Sequence, residues 1–396
     1  MLNSLVDLVL QKRALFLFLT VAIVAGGIYS WQSLQIDAFP DATNIQVMIL
    51  TEAPGLAAVD VEQQITYPIE AHMGGLPDVR QVRSLSKPGL SQVVVVFEDS
   101  VDIYFARQIV LERLQAAEET LPDGMEPELG PVSTGLGEIY QYTLESSRHD
   151  AMELRTIQDW LVAPRLRTIS GVTEVNCFGG FVKQLHVVVE PDKLLKYGLA
   201  LRDVFEAVEK NNANAGGGFI LHGWEQSYVR TVGLFAGADD ISRVVLKTKD
   251  GTPVFLGDVA EIRPGPETRQ GAVTRDGKGE AVCGMVVMLK GANAKEVVDR
   301  VRTAMAEIEQ PLREEGVTVN TFYDRTALIV TCMKTMTDAL WQGGLLVVAV
   351  LFLFLMSVRA GLIVAISIPL SALITFIMMR FYGLTANLMS LGGLAV

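Results

Sequence analysis

The fold is decided by residues 339–380, ALWQGGLLVVAVLFLFLMSVRAGLIVAISIPLSALITFIMMR, in which two uncharged runs of 20 residues are separated by Arg359. About 20 apolar residues in an α-helix cross the hydrocarbon layer of a bilayer. The short connection through one arginine makes the two helices a hairpin. The alternative, a buried hairpin of a water-soluble protein, is disfavoured by the length and the lack of charge. We therefore predict transmembrane helices at 338–358 and 360–379.

A third apolar stretch lies near the start of the chain, where no charged residue occurs from Ala14 to Ile36. It follows Lys12 and Arg13, a pattern that also describes a secretory signal peptide. The stretch is longer than the usual apolar part of a signal peptide, which favours a transmembrane helix within residues 1–36. Under either interpretation the chain that follows is exported.

Basic residues around the apolar stretches predict the orientation, because positive charges are retained preferentially on the cytoplasmic side. Lys12 and Arg13 precede the first helix, and Arg359 lies between the later two. All three are cytoplasmic if residues 37–337 lie outside the cytoplasm. Arg380 is the exception, since it would lie at the outer end of the third helix.

The composition combines a membrane part with a water-soluble part. Of the 396 residues, 50% are hydrophobic and 20% are charged, a mixture typical of apolar helices joined to a folded soluble segment. That segment is long enough for more than one domain. The net charge of −12 argues against nucleic-acid binding, which requires a basic surface.

Residues that commonly bind metals are few and widely separated in the sequence. They are Cys177, Cys283, Cys332, His72, His149, His186 and His222. No two cysteines have the CxxC spacing of a zinc site, no disulfide framework is visible, and no two histidines are three or four residues apart. We predict that all seven are packing or surface residues and that the chain holds no cofactor.

The exported segment alternates between strand and helix patterns. Residues 92–98, QVVVVFE, are typical of a buried strand, and residues 103–119 have the apolar spacing of a helix. Residues 106–121 align without a gap on residues 294–309, which indicates an internal repeat. We therefore predict repeated strand-helix-strand units, and an α-helical membrane protein that carries an α+β domain outside the cytoplasm.

Seven strings resemble the heavy-metal branch of the resistance-nodulation-division transporters. They are IDAFPDATNIQV (36–47), VEQQITYPIE (61–70), GLPDVRQVRSLSKPGLSQV (75–93), DIYFARQIVLERL (102–114), STGLGEIYQY (133–142), YDRTALI (323–329) and LTANLMSLGG (384–393). Their order along essentially the whole chain makes the resemblance specific. It implies the first, truncated half of a pump, ending inside the fourth membrane helix.

The resemblance also implies a division of the chain. The parts are a cytoplasmic start and helix 1 (1–36), porter subdomain 1 (37–134), porter subdomain 2 (135–180 and 273–330), a docking insertion (181–272), helix 2 (338–358), helix 3 (360–379) and the start of helix 4 (384–396). The whole pump would be a homotrimer in the bacterial inner membrane, with residues about 37–337 in the periplasm. It would contact lipid, a periplasmic adaptor and an outer-membrane channel, and a loop near 211–229 would reach the neighbouring protomer.

A proton-driven pump requires a carboxylate inside the bilayer, where protonation changes the partner that the group prefers. No Asp or Glu occurs within 339–358, 360–379 or 384–396. The resemblance places the relay aspartate beyond Val396. We therefore expect the chain to be inactive in transport when it is alone.

The resemblance leaves the transported ion open between Cu or Ag and Zn, Co or Cd. Ala395 stands where the cobalt-zinc-cadmium type has an aspartate, which favours copper or silver. Thr268 stands where the copper-silver type has a methionine, which favours the divalent ions. Met389 matches a methionine of a metal path in copper-silver pumps, and a thioether suits a soft monovalent ion. Met389 is therefore the candidate metal ligand, with ordinary helix packing as the alternative.

Other functions are weaker alternatives. A membrane-tethered periplasmic interaction module, or a gene remnant without transport, would account for the missing carboxylate. A pump for organic solutes is disfavoured by the metal-type strings. An enzyme is disfavoured because no nucleophile motif, phosphate loop or pair of catalytic carboxylates is visible.

Overall fold

The computed structural model describes residues 11–37, 39–249, 251–269, 271–277, 279–355 and 358–395. Residues 1–10 of the predicted first segment and Val396 at the end of the predicted fourth helix lie outside this part of the chain. Long apolar helices flank a segment in which helices alternate with strands. The predicted α-helical membrane protein with an α+β domain is confirmed.

The helices are, in chain order, α1 (Arg13–Ser33), α2 (Ala58–Val61, continued through a π turn at Glu62–Thr66 into Tyr67–Met73), α3 (Ile103–Glu118), α4 (Ala151–Ile157, a π turn at Gln158–Val162, then Ala163–Arg167), α5 (Pro191–Tyr197), α6 (Leu201–Asn211), α7 (Ala238–Ser242), α8 (Leu256–Val259), α9 (Ala294–Glu314), α10 (Arg325–Leu355), α11 (Val358–Phe381) and α12 (Leu388–Ala395). Helix α3 begins where predicted because the Asp102 carboxylate accepts hydrogen bonds from the backbone N–H of Tyr104 and Phe105.

The strands are β1 (Gln46–Glu52), β2 (Val79–Lys87), β3 (Leu90–Phe97), β4 (Pro127–Leu129), β5 (Glu138–Ser146), β6 (Val172–Phe178), β7 (Lys183–Val189), β8 (Ala215–His222), β9 (Glu225–Thr231), β10 (Val245–Lys249), β11 (Thr252–Phe255), β12 (Ala260–Pro266), β13 (Val282–Met288) and β14 (Val317–Asp324). The strand predicted at 92–98 is β3, which begins two residues earlier than predicted.

Two four-stranded sheets share one topology. Their strand orders are β2-β3-β1-β4 and β14-β5-β13-β6. In each sheet, two strands joined by a helix are separated by a strand of the other strand-helix-strand unit, which is the ferredoxin-like arrangement. The predicted repeat at 106–121 and 294–309 lies mostly in α3 and α9, each of which is the second of the two helices that connect the strands of its sheet. The prediction of repeated strand-helix-strand units is confirmed.

The first sheet buries one face against its two helices. Strand β1 alternates between half-buried and buried residues, with Val47 and Ile49 in the core, as the two-residue period of a strand requires. Central β3 is buried along most of its length, which explains its unbroken run of valines. Ile65 of α2 and Val110 of α3 complete this core.

A segment of small sheets lies in the chain between β6 and β13. Its strand pairs are β12-β7, β10-β11 and β8-β9, and its core gathers Leu194, Val204, Leu256 and Val259. By contact density the chain divides into one compact unit of Met1–Thr143, Val162–Asn176 and Gly284–Val396, and a second of Leu144–Leu161 and Cys177–Cys283. The subdomain limits drawn from the resemblance stay a prediction.

Within the part of the chain that the structure describes, three helices are long and apolar enough to cross a membrane. The candidate spans are Arg13–Ser33, Arg325–Phe354 and Gly361–Phe381. Helix α10 begins at Arg325, before the transmembrane start predicted at 338, and the limits of its transmembrane part stay a prediction. Residues 325–338 contain Thr, Lys and Asp but no Pro or Gly, so the helix continues through them without a break.

Helices α1 and α11 pack closely. A Cβ atom at Gly27 would lie 2.5 Å from the Cβ of Leu373, so only glycine permits this approach. Trp31 and Phe376 pack with ring centroids 4.6 Å apart. The Arg380 guanidinium lies 4.4 Å from the centre of the Tyr29 ring, which gives this arginine an aromatic partner.

Candidate functional site at the membrane junction

Four of the seven strings meet where the apolar helices join the α+β domain. The first contact is made by the backbone, since Ile36 after α1 pairs in parallel with Ala386 before α12. The Ala386 N–H donates to the Gln35 carbonyl at 2.9 Å, and the Asp37 N–H donates to the Ala386 carbonyl at 3.1 Å. The string after the first helix is thereby hydrogen-bonded to the string that begins the last helix.

A buried ion pair joins two further strings at the same place. Nη2 of Arg325, the first residue of α10, lies 2.8 Å from each carboxylate oxygen of Asp37, and its Nε lies 3.1 Å from Oδ1. The remaining Nη1 donates to the Leu136 carbonyl. Only 5% of the Arg325 side chain and 17% of the Asp37 side chain are exposed. Charge-assisted contacts of this kind are shorter and stronger than neutral hydrogen bonds.

The start of α10 is fixed by a second acidic residue. The Asp324 carboxylate accepts a hydrogen bond from the Thr326 N–H at 2.8 Å. It also accepts one from Nε of Arg302 on α9, at 2.7 Å. Helix α10 is therefore tied through Asp324 to α9 and through Arg325 to the residues that follow α1.

Lys290 connects the string at 36–47 to the loop after β13. Its Nζ donates to the backbone carbonyls of Thr43 at 3.0 Å and Asn44 at 3.3 Å. The Gly135 N–H donates to the Thr43 hydroxyl at 3.3 Å. We call the cluster of Asp37, Thr43, Lys290 and Arg325 the junction. Its interactions link the ends of two apolar helices to loops of both four-stranded sheets.

The junction residues were not predicted as a group from the sequence. Asp37 and Arg325 are 288 positions apart, and neither lies in a pattern that marks a catalytic or metal site. A signal was nevertheless present, because opposite charges follow the first apolar stretch and precede the second within two of the quoted strings. Only the tertiary structure shows that the two charges are partners.

Met389 lies in the first turn of α12. The Asn387 carboxamide oxygen caps this turn by accepting hydrogen bonds from the N–H of Met389 at 3.0 Å and of Ser390 at 2.9 Å. The Met389 side chain is 70% exposed. Its role as a metal ligand stays a prediction, and the exposure shows that it does not fill the core of the described chain.

The other candidate metal-binding residues do not assemble into a site of three or more ligands. Among the residues that the structure describes, no group of at least three His, Cys, Asp or Glu side chains could hold a metal ion. Nδ1 of His72 instead forms a hydrogen bond with the Pro68 carbonyl, and Nδ1 of His149 forms one with the Ser146 hydroxyl. Thr268 lines an open cavity of about 390 Å³ that Cys177 also lines.

The family model of the AcrB/AcrD/AcrF family matches residues 5–396. The chain belongs to this family. The match runs through the apolar helices, the α+β domain and the junction. The family is one of transporters, which agrees with the predicted absence of an enzyme function.

Two of the similar proteins have names that refer to metal resistance or to cation efflux. The chain is 47% identical to Protein HelA of Legionella pneumophila and 45% identical to the cobalt-zinc-cadmium resistance protein CzcA of Cupriavidus metallidurans, with 100% of the chain and 38% of each relative covered. It is 40% identical to the cation efflux system protein CusA of Escherichia coli (strain K12), with 97% of the chain and 37% of the relative covered.

A solved structure agrees with the sequence comparisons. The crystal structure of a heavy metal efflux pump superposes with a TM-score of 0.88 at 36% identity, over 98% of this chain and 39% of that one. The predicted resemblance to the heavy-metal branch is therefore confirmed. The chain spans about 38% of the length of the curated relatives that it matches.

Proposed function

We propose that this chain supplies the amino-terminal part of a proton-driven pump that exports heavy-metal cations across the bacterial inner membrane. The observation that carries the proposal is the family match over residues 5–396 together with relatives named for metal resistance and for cation efflux. The transported ion is a substrate, either Cu or Ag or one of Zn, Co and Cd. The three apolar helices lie in the membrane, and residues about 37–337 lie in the periplasm.

The junction supports a mechanical role in such a pump. A transport cycle driven in the membrane must move the domain that handles the metal, so the two parts require a rigid connection. The Asp37–Arg325 ion pair and the backbone bonds at Ala386 supply one in this chain. If α10 tilts, the loop at Leu136 should therefore move with it.

The hairpin of β8 and β9 supports assembly into a homotrimer. All residues of both strands are exposed, including Phe219, Leu221 and Tyr228, and Trp224 at the turn is fully exposed. Apolar side chains exposed along a projecting hairpin are typical of a protein interface. The hairpin would contact the neighbouring protomer of the pump. The other partners would be an adaptor and an outer-membrane channel.

The proposed orientation has a direct test. A reporter enzyme that is active only in the periplasm, inserted at Asn214, should be active, and a reporter active only in the cytoplasm should be inactive at the same place. The expected result follows from Lys12, Arg13 and Arg359, which place positive charge on the other side. A matched insertion at Arg359 should give the opposite pattern. Cytoplasmic activity at Asn214 would overturn the orientation.

Substitution of Met389 tests whether this residue belongs to the metal path. In the complete pump, Met389→Leu should lower resistance to copper or silver while zinc and cobalt resistance stays nearly unchanged, because thioether sulfur favours soft monovalent ions. Leu has a similar volume, so the stability cost should be under about 1.5 kcal/mol. Resistance to each ion is measured at matched membrane expression, with Met378→Leu on α11 as the control. Equal copper and silver resistance in wild type and Met389→Leu would assign Met389 to packing.

A periplasmic interaction module without transport is the rival function. The two functions are separated by expressing the complete pump in a host deleted for its own metal pumps. We expect resistance to at least one of the five ions above the empty-vector level. Wild-type protein that reaches the membrane and confers no resistance to any of them would favour the module.

A further inference from the structure

Two cysteines that are remote in the sequence lie on neighbouring strands. Cys177 is in β6 and Cys283 is in β13, and these strands are adjacent in the second four-stranded sheet. Both residues are thiols in this structure. The sequence predicted both cysteines to be packing or surface residues and gave no sign of this pairing.

The register of β6 and β13 follows from contacts at the two ends of the pair. At one end, the Leu289 N–H donates to the Gly171 carbonyl at 2.8 Å. At the other end, Gly179 approaches the Ala281 carbonyl so closely that a Cβ at this position would collide with it. Eight residues forward on β6 thus correspond to eight residues backward on β13, so both contacts fit a single antiparallel register. This register places Cys177 directly opposite Cys283.

We propose that Cys177 and Cys283 form a cross-strand disulfide when the domain is outside the cytoplasm. Directly opposite residues of antiparallel strands have Cα atoms about 4.5–5.5 Å apart, and disulfides join residues with Cα atoms about 4.4–6.8 Å apart. Side chains at opposite positions project from the same face of the sheet. No rearrangement of the strands is therefore needed.

The solvent access and the pKa of the thiols determine which cysteine reacts first and how fast the disulfide forms. Cys177 lines the open cavity of about 390 Å³, whereas Cys283 is 6% exposed. Burial raises the pKa of the Cys177 thiol to about 12; Arg155 lowers it, and Asp159 and Cys283 raise it. Because the thiolate is the reactive form, the disulfide should form slowly at neutral pH.

The oxidant is a low-molecular-weight disulfide such as oxidised glutathione. The Cys177 thiolate attacks one glutathione sulfur, forms a mixed disulfide and releases one glutathione. The Cys283 thiolate then attacks the Cys177 sulfur and releases the second. The two protein thiols lose two protons and two electrons, and the glutathione disulfide is reduced to two thiols. The inference rests on the proposed export, because the cytoplasm keeps thiols reduced.

The test uses the purified full chain in detergent with Cys332→Ser, so that only the two strand cysteines remain. The protein is incubated with oxidised glutathione, the remaining thiols are alkylated, and tryptic peptides are analysed by mass spectrometry without reductant. We expect the loss of both alkylation sites and one linked peptide pair that contains Cys177 and Cys283. Reductant should restore both alkylation sites.

Two controls make the result decisive. Cys283→Ser in the same background should stop at a glutathione adduct on Cys177, and urea-unfolded protein should show that the reagent is competent. Two alkylated cysteines, or separate glutathione adducts on both, with no linked peptide from folded protein, would overturn the proposal. Because the protein is purified, this result is independent of the reporter test of orientation.

Discussion

Arg325→Ala should lower the free energy of unfolding by about 3–5 kcal/mol, which is the usual cost of removing one partner of a buried ion pair. The substitution leaves the Asp37 carboxylate, of which 17% is exposed, without its bidentate partner. It also removes the hydrogen bond to the Leu136 carbonyl. The loss is measured by denaturant titration of the detergent-solubilised chain.

An exposed ion pair supplies the matched control. Arg165 and Glu307 lie 3.0 Å apart with 58% of each side chain exposed, so Arg165→Ala should cost less than about 1 kcal/mol. Arg325→Ala combined with Asp37→Ala should be less destabilised than Arg325→Ala alone, because the carboxylate that loses the arginine is then removed as well. Equal losses for Arg325→Ala and Arg165→Ala would contradict the importance of the junction.

Gly27→Ala should destabilise the contact between α1 and α11 by about 1–3 kcal/mol, which is typical of overpacking. The added methyl group would lie 2.5 Å from the Leu373 Cβ and 3.1 Å from its Cα. These atoms belong to the stem of the side chain and to the backbone, so rotation of the side chain cannot relieve the clash. The helices must separate, and the adjacent packing of Trp31 on Phe376 is then weakened.

Gly26 is the control for this substitution, because it is the neighbouring glycine of the same helix. A Cβ at Gly26 would have ordinary contact with Ile377 Cδ1 at 3.5 Å. Gly26→Ala changes helix propensity and hydrophobicity as Gly27→Ala does, so only the close approach differs. Thermal unfolding followed by tryptophan fluorescence should give a lower midpoint for Gly27→Ala. Identical midpoints would show that the helices adjust without cost.

The local patterns of the sequence determined the elements. Charge-free runs predicted the apolar helices, and the valine run of β3 and the apolar spacing of α3 predicted a strand and a helix at these positions. When one face of a helix or strand is buried, apolar side chains recur with the period of that element. Such patterns can therefore be recognised without knowing which element packs against the buried face. The quoted strings identified the family because they occur in the same order along the whole chain, which makes the resemblance specific.

The pairing of distant residues was decided only by the tertiary structure. Asp37 does not encode that its partner is Arg325, and the sequence spacing of Cys177 and Cys283 does not encode that β6 and β13 are neighbours. A split strand-helix-strand topology places non-consecutive strands together, so contacts across it have no sequence period. Tertiary contacts also determine where a helix begins. Helix α10 extends back to Arg325 because Asp324 and Arg325 are held by residues that are remote in the chain.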